Sequence, residues 1–351
     1  MTGVFALVEE VRKDIESKIS FLDKRLKDGL SDIVASLLVE PTANTHVMSE
    51  RLPRGIRSQK HRAQYIARFL KNPKIVHYRI MRPYARELLT LVSRNDQTVV
   101  LQMDQSKLVD GFEVLMISVR VGSRALPVSW MVQQTEGNIE FAFQEILLSR
   151  VYLMLPKNIS IVLMADRFYG TKRLVEWCQK HQFGYRIRLK GNLGFEHENS
   201  IITPEDAYAM RQTSIVNATF NDSDVTTNIG ILHEQGHPEP WFIAMDCNPN
   251  KHRVLDYGMR WGIEPMFSDF KSRGFQITDS HVRHKDRLER LMLVMALAMY
   301  WSVSTGMAAE NPRQKQYMHC LKTKTSSQKK YALGIIAFYK RNTFFSTSHH
   351  A

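Results

Sequence analysis

The sequence predicts an α/β protein built on a mixed β-sheet, and three observations lead there. From about residue 96 the hydrophobic pattern runs strand, strand, strand, helix, strand, helix, strand, an order that a mixed sheet flanked by helices produces. The strands are continuous apolar runs such as VVLQM (99–103) and ISIVLMA (159–165), as expected where both faces of a sheet are covered. The chain has 351 residues and 44% hydrophobic content, enough for about two domains or for one core carrying an insertion.

Along the chain, residues 1–45 show helical spacing with mixed charge. From Arg51 to Arg86 eleven Lys/Arg stand with no Asp or Glu, among aromatics and prolines that suggest short helices joined by turns. QTVVLQMDQS, FEVLMISVRVG and ALPVSWMVQQ then read as strands. NIEFAFQEILLSRVYLML reads as a helix, NISIVLMADRFYG as a buried strand, TKRLVEWCQKHQ as a helix and FGYRIRLKGN as another strand. Between 191 and 250, short β-like pieces (QTSIVNATF, TTNIGILHE, PWFIAMDC) broken by Asn, Asp, Gly and Pro predict a β-rich insertion. Residues 257–309 return to helix, and 311–351 form a basic tail. The longest apolar run, LMLVMALAMYWSV (291–303), falls short of the ~20 residues of a membrane span and predicts a buried core helix.

The formal net charge of +13 favours an anionic partner, nucleic acid above all. Most of that excess lies between 51 and 86, where Arg51, Arg54, Arg57, Lys60 and Arg62 are candidate phosphate contacts; a solvated basic surface is the alternative. Three scattered cysteines suggest neither a disulfide framework nor a zinc site, and the N-terminus carries charge too early for a signal peptide, so a cytoplasmic setting is expected. HEQGH (233–237) matches a zinc-protease pattern, but a strand precedes it and Gly236, Pro238 and Pro240 break it, which predicts a hairpin turn. His281 and His284 are expected on a basic surface, and the sequons at Asn158, Asn217 and Asn221 have no secretory context.

Two acids end apolar strands: Asp104 after VVLQM and Asp166 after ISIVLMA. A carboxylate there is costly unless paired or bound to a cation. Either acid taken singly also suits a turn cap, whereas two on neighbouring strands with a third from a facing helix can hold two Mg²⁺ ions for phosphodiester chemistry. Glu264 supplies that third acid. In YGMRWGIEPMFSDFK (257–271), Tyr257, Arg260, Glu264 and Lys271 would share one sector of about 60° on an ideal helix. A salt-bridged helix needs only the i,i+4 pair, whereas cations beside such a carboxylate suit a phosphate backbone. Pro265 implies that the helix either starts there or is kinked there.

The spacing Tyr257-x2-Arg260-x3-Glu264-x6-Lys271 resembles the Y-R-E-K signature of bacterial insertion-sequence transposases, with LQMDQS and MADRFYG similar to the aspartate motifs of the DDE superfamily. The likeness spans roughly residues 50–305. It implies a ribonuclease H-like core in two parts (96–190 and 251–310), interrupted by the insertion at 191–250, after a helical basic DNA-binding region at 1–95. It further implies metal-dependent strand cleavage at element ends and strand transfer into target DNA, with Asp104, Asp166 and Glu264 as catalytic metal ligands for two Mg²⁺, Mn²⁺ being a substitute. Tyr257, Arg260, Lys271, Arg167 and Arg188 would contact DNA phosphates. Trp241 and Trp261 are either buried core residues or platforms for an unpaired base. The implied partners are terminal inverted repeats and target DNA, bound by a homodimer at the bacterial nucleoid, with no membrane. A non-catalytic regulator and a stand-alone two-metal nuclease are the competing readings.

Overall fold

The structure, a computed structural model, describes residues 2–122 and 124–310; the expected basic tail 311–351, with Cys320, lies outside the described residues. Five helices come first: α1 (Thr2–Lys18), α2 (Lys24–Val39), α3 (Thr45–Glu50), α4 (Gln59–Lys71) and α5 (His77–Val92). Asp23 and Asn44 start α2 and α3 by accepting hydrogen bonds from free backbone N–H groups of the first turn.

An antiparallel meander follows, β1 (Val99–Val109), β2 (Phe112–Val121) and β3 (Arg124–Gln133). Helix α6 (Phe141–Tyr152) carries the chain to β4 (Ile161–Ala165), parallel to β1, and α7 (Lys172–Lys180) carries it to β5 (Gly184–Arg188), parallel to β4. The resulting order β3-β2-β1-β4-β5 is the mixed α/β arrangement expected of a ribonuclease H-like transposase fold.

The segment read as an insertion is β-rich and continues the same sheet. It contains β6 (Phe195–His197), β7 (Ser200–Ile202), α8 (Pro204–Ala209), β8 (Ser214–Phe220), β9 (Thr226–Leu232) and β10 (Trp241–Met245). Strand β10 pairs with β5, and the order runs on as β10-β9-β8-β6-β7, ten strands in all among the described residues. HEQGH falls in the turn between β9 and β10, where Gly236 adopts φ +90°, so its histidines share no helical face.

The chain closes with α9 (Lys251–Leu255), a 3-10 segment Asp256–Gly262, α10 (Ile263–Phe270) and α11 (Lys285–Glu310). The apolar run lies within α11, and Leu291 to Met299 are buried on every side, which is why its sequence lacks a polar face. No described helix is long and apolar enough to cross a membrane. α11 packs on β3 and on α2, α4 and α5, so one continuous core extends from Leu7 in α1 to Val303 in α11. The helices before residue 95 therefore share their core with the sheet.

Pro265 is the third residue of α10, in the first turn, where its missing N–H leaves no helical bond unmade. Tyr257 and Arg260 lie on the 3-10 segment before it and Lys271 caps its C-terminus, so the single helical sector read from the sequence is not how the four groups meet.

Candidate active site

The two aspartates are brought together by strand register. In the parallel β1–β4 pair Met103 faces Ala165, so the next residues, Asp104 and Asp166, emerge side by side where β4 ends. Both also serve the local backbone, Asp104 Oδ1 accepting from the Gln105 N–H at 2.9 Å and Asp166 Oδ1 from the Arg167 N–H at 2.6 Å. Asp166 is the N-cap of the 3-10 turn Arg167–Tyr169, as the cap reading expected, whereas Asp104 lies within β1 and caps no turn.

Glu264 arrives from α10 on the facing side. The link between the acids is Arg260, whose side chain is 8% exposed: its guanidinium donates to Asp104 Oδ2 at 2.9 Å and to Glu264 Oε1 at 2.7 Å. The Tyr257 hydroxyl lies 3.4 Å from Asp166 Oδ1, and the Lys271 ammonium donates to Ser106 Oγ at 2.7 Å, two residues beyond Asp104. All four signature residues thus converge on the two aspartate strands, although they belong to two differently wound segments.

Burial pushes the Asp104 carboxyl up to about 6; Arg260 opposes the shift, while Asp166 and Glu264 add to it. Burial also lowers the Lys271 ammonium below its ordinary range. For Arg260, burial disfavours the charge, but Tyr257, Asp104, Asp166 and Glu264 outweigh it and hold the guanidinium more firmly protonated than usual. The cluster is acidic, and one arginine supplies the countercharge.

Among the described residues no three acid, histidine or cysteine side chains are gathered closely enough to hold a metal ion, so the expected triad is not assembled as an ion cage. Arg260 accounts for this, because it occupies the space between Asp104 and Glu264. The donor chemistry nevertheless fits a hard divalent cation, since three carboxylates approach from three elements.

A clamp that the signature does not contain holds the 3-10 segment on the sheet. Gln102 is fully buried in β1; its amide donates to the carbonyls of Met259 at 2.6 Å and Arg260 at 3.2 Å, and its Oε1 accepts from the Ser118 hydroxyl at 3.1 Å. Arg120 adds a bond to the Met259 carbonyl at 2.9 Å. Gly262 allows this approach, since a Cβ there would stand 2.8 Å from the Gln102 amide nitrogen. The signal for Gln102 was present in the sequence as one polar residue within the apolar run VVLQM.

Arg167 and Arg188 both reach Glu239, at 3.0 and 3.1 Å from the same carboxylate oxygen. Gly170 permits the pairing, because a Cβ there would lie 2.5 Å from the Arg188 carbonyl. Trp241 is 5% exposed and packs edge-on against Tyr257, whereas Trp261 is 39% exposed and stacks on His237 with centroids 5.7 Å apart. Farther off, Arg54 is tied to buried Asp32 and to the Tyr65 ring, Arg62 donates to the Ser49 and Ile56 carbonyls, and Arg51 pairs with Glu40 at 3.4 Å. Arg57 and Lys60 are exposed, as are His281 and His284.

Compared with known proteins, residues 147–301 match the family model of the transposase DDE domain. No curated protein sequence matches the chain. The matched stretch holds Asp166 and Glu264 and begins after Asp104, and it supports a transposase of the DDE superfamily.

Proposed function

We propose that this protein is a DNA transposase of the bacterial insertion-sequence type, cutting strands at the inverted-repeat ends of its element and joining them to target DNA. The observation that carries the reading is the Arg260 bridge between Asp104 on the sheet and Glu264 on α10, beside Asp166. A structural ion pair needs two partners; here one buried guanidinium serves acids from separate elements, and two of the three residues in that bridge, Arg260 and Glu264, lie within the stretch matched to the transposase domain.

In this reading Asp104, Asp166 and Glu264 hold two divalent ions, Mg²⁺ or Mn²⁺. When bound, the ions supply Lewis-acid activation of the attacking hydroxyl and charge stabilisation at the leaving oxygen. The side chains around the acids bind and orient the strand. Arg260 and Lys271 present N–H donors to a phosphate entering at the acids, and the Tyr257 hydroxyl, beside Arg260, steadies Asp166. Arg167 and Arg188 take the neighbouring phosphate, and Trp261 offers an exposed ring to a displaced base. The exposed Arg57 and Lys60 extend the contact along the duplex, and two chains pair to hold two element ends.

The test is cleavage of a duplex carrying the element end, with Mg²⁺ or Mn²⁺ present. Wild type should nick beside the inverted repeat, and Asp166→Asn should bind without nicking. Wild type that binds and never cuts supports a regulator instead, and cleavage of every duplex alike supports a general nuclease.

A further inference from the structure

The turn between β9 and β10 lies across the face to which the proposed reading assigns DNA, and it touches that face at two points of different chemistry. Glu239 places a single carboxylate oxygen between two guanidinium groups, 3.0 Å from Arg167 and 3.1 Å from Arg188. Two arginines suited to anion recognition thus already meet an anion, one supplied by the protein itself. The two arginines come from separate elements, the turn after β4 and the end of β5, and they converge on that oxygen beside a cleft of about 500 Å³ that Lys190 and Asn192 also line. Two residues earlier in the same turn, His237 stacks almost parallel on Trp261, with an interplanar angle of 18°.

We propose that Glu239 is a built-in phosphate substitute: in the free protein the β9–β10 turn occupies a phosphate subsite made by Arg167 and Arg188, and a nucleic-acid phosphate must displace it. This rests on the DNA reading of the site above.

The energetics allow exchange. Glu239 is 55% exposed and Arg167 44% exposed at the side chain, so that pair sits in high dielectric and is worth little; Arg188 is 20% exposed and holds the shared oxygen from the more buried side. A phosphate brings more charge and more acceptor oxygens to the same fork, and it releases counterions from the duplex as it binds. The turn also has the means to move aside: it is short, it contains Gly236 at φ +90°, and only side chains fasten it to the arginines. The effect is selective. A lone anion must compete with an intramolecular carboxylate, whereas a strand already held by neighbouring contacts displaces it at low cost.

The experiment measures binding of a short fluorescent duplex of random sequence to the full chain by anisotropy, over a range of salt concentrations. Glu239→Gln should tighten binding by about fivefold at low salt, with the gain shrinking as salt rises. Glu234→Gln in the same turn removes the same charge from a group paired with Lys251, and should give a clearly smaller gain. Adding Arg167→Gln and Arg188→Gln to Glu239→Gln should erase the gain. Equal effects of the two glutamate variants, no effect of Glu239→Gln, or weaker binding in a variant whose thermal unfolding is unchanged would each overturn the gate. If wild type binds and nicks, these results concern the gate alone; a chain that binds no duplex at all overturns the DNA reading and the gate with it.

Discussion

The Arg260 guanidinium stands between Asp104 and Glu264, 2.9 Å from one carboxylate and 2.7 Å from the other, and is itself almost fully buried. Removing it leaves Asp104 burdened with burial and with the charges of Asp166 and Glu264. Arg260→Gln should cost about 3 kcal/mol of stability at neutral pH, the lower end of the range for breaking a buried pair because Glu264 is exposed. Adding Asp104→Asn should restore much of the stability and none of the cleavage. Urea unfolding of the single and double variants measures this, and additive losses would show that the bridge is not coupled.

Gln102 holds the carbonyls of Met259 and Arg260, not any side chain that meets DNA. Gln102→Ala should therefore lower the single-turnover nicking rate by about tenfold or more while leaving duplex affinity near that of wild type. Gly262→Ala should do likewise, because its methyl would press on the same amide. A variant that loses affinity and rate in equal measure would contradict a positioning role.

The two tryptophans should separate cleanly. Trp241 is buried against Tyr257, so Trp241→Ala should cost about 3–5 kcal/mol of stability. Trp261 is substantially exposed, so Trp261→Ala should change stability by less than about 1 kcal/mol while impairing the cleavage of element ends. Thermal unfolding and nicking measured side by side decide between them.

Stability below neutral pH should carry the mark of His77. Burial lowers its pKa from 6.5 to about 4, although its bond with the Trp130 carbonyl, at 3.2 Å, works the other way. The ring is neutral in the folded protein at pH 7, so the Glu289 oxygen 3.5 Å from its Nδ1 makes no ion pair there. The unfolded chain takes up the proton first. This contribution is complete above pH 6.5 and is lost as pH falls through the window down to about 4, on the order of 3 kcal/mol. Asp269, pushed up to about 6 by burial against the pull of Arg124, has the opposite sign and favours the folded state at lower pH. His77→Gln should remove the acid-side loss and leave the opposite slope, as read by urea unfolding across that range. An unchanged pH profile would refute the assignment.

How much of this could be read beforehand depended on whether the information was local. The strands through β5 and the buried helix around 291–303 are set by continuous hydrophobic pattern and stand where the sequence predicted them; Asp166 follows the end of β4 as expected, whereas β1 runs past Asp104 to Val109 because polar residues on its far half still pair with β2. The convergence of Tyr257, Arg260, Glu264 and Lys271 was legible as a spacing, but its route was not. The ideal-helix sector does not anticipate the 3-10 segment or the C-terminal cap at Lys271, whereas the proline in a first turn is one of the two outcomes its position implies. The short strands β6 and β7 escaped because three residues carry too little periodicity to detect. Arg54 and Arg62 looked like free cations because their partners, Asp32 and the Ser49 and Ile56 carbonyls, are recognised only once the helices pack. Glu239 gave no signal, since its meaning lies in two arginines that are distant in sequence.

Helix α11 also fixes a schedule. It is the plank on which α2, α4, α5 and β3 rest, and it is the last described element to leave the ribosome. Until it emerges, α2, α4 and α5 have only one another, α1, α3 and β3 to pack on, and the apolar faces that α11 covers stay open. A product cut short before residue 285 would expose those faces to chaperones and proteases, and would not persist as a DNA-binding fragment.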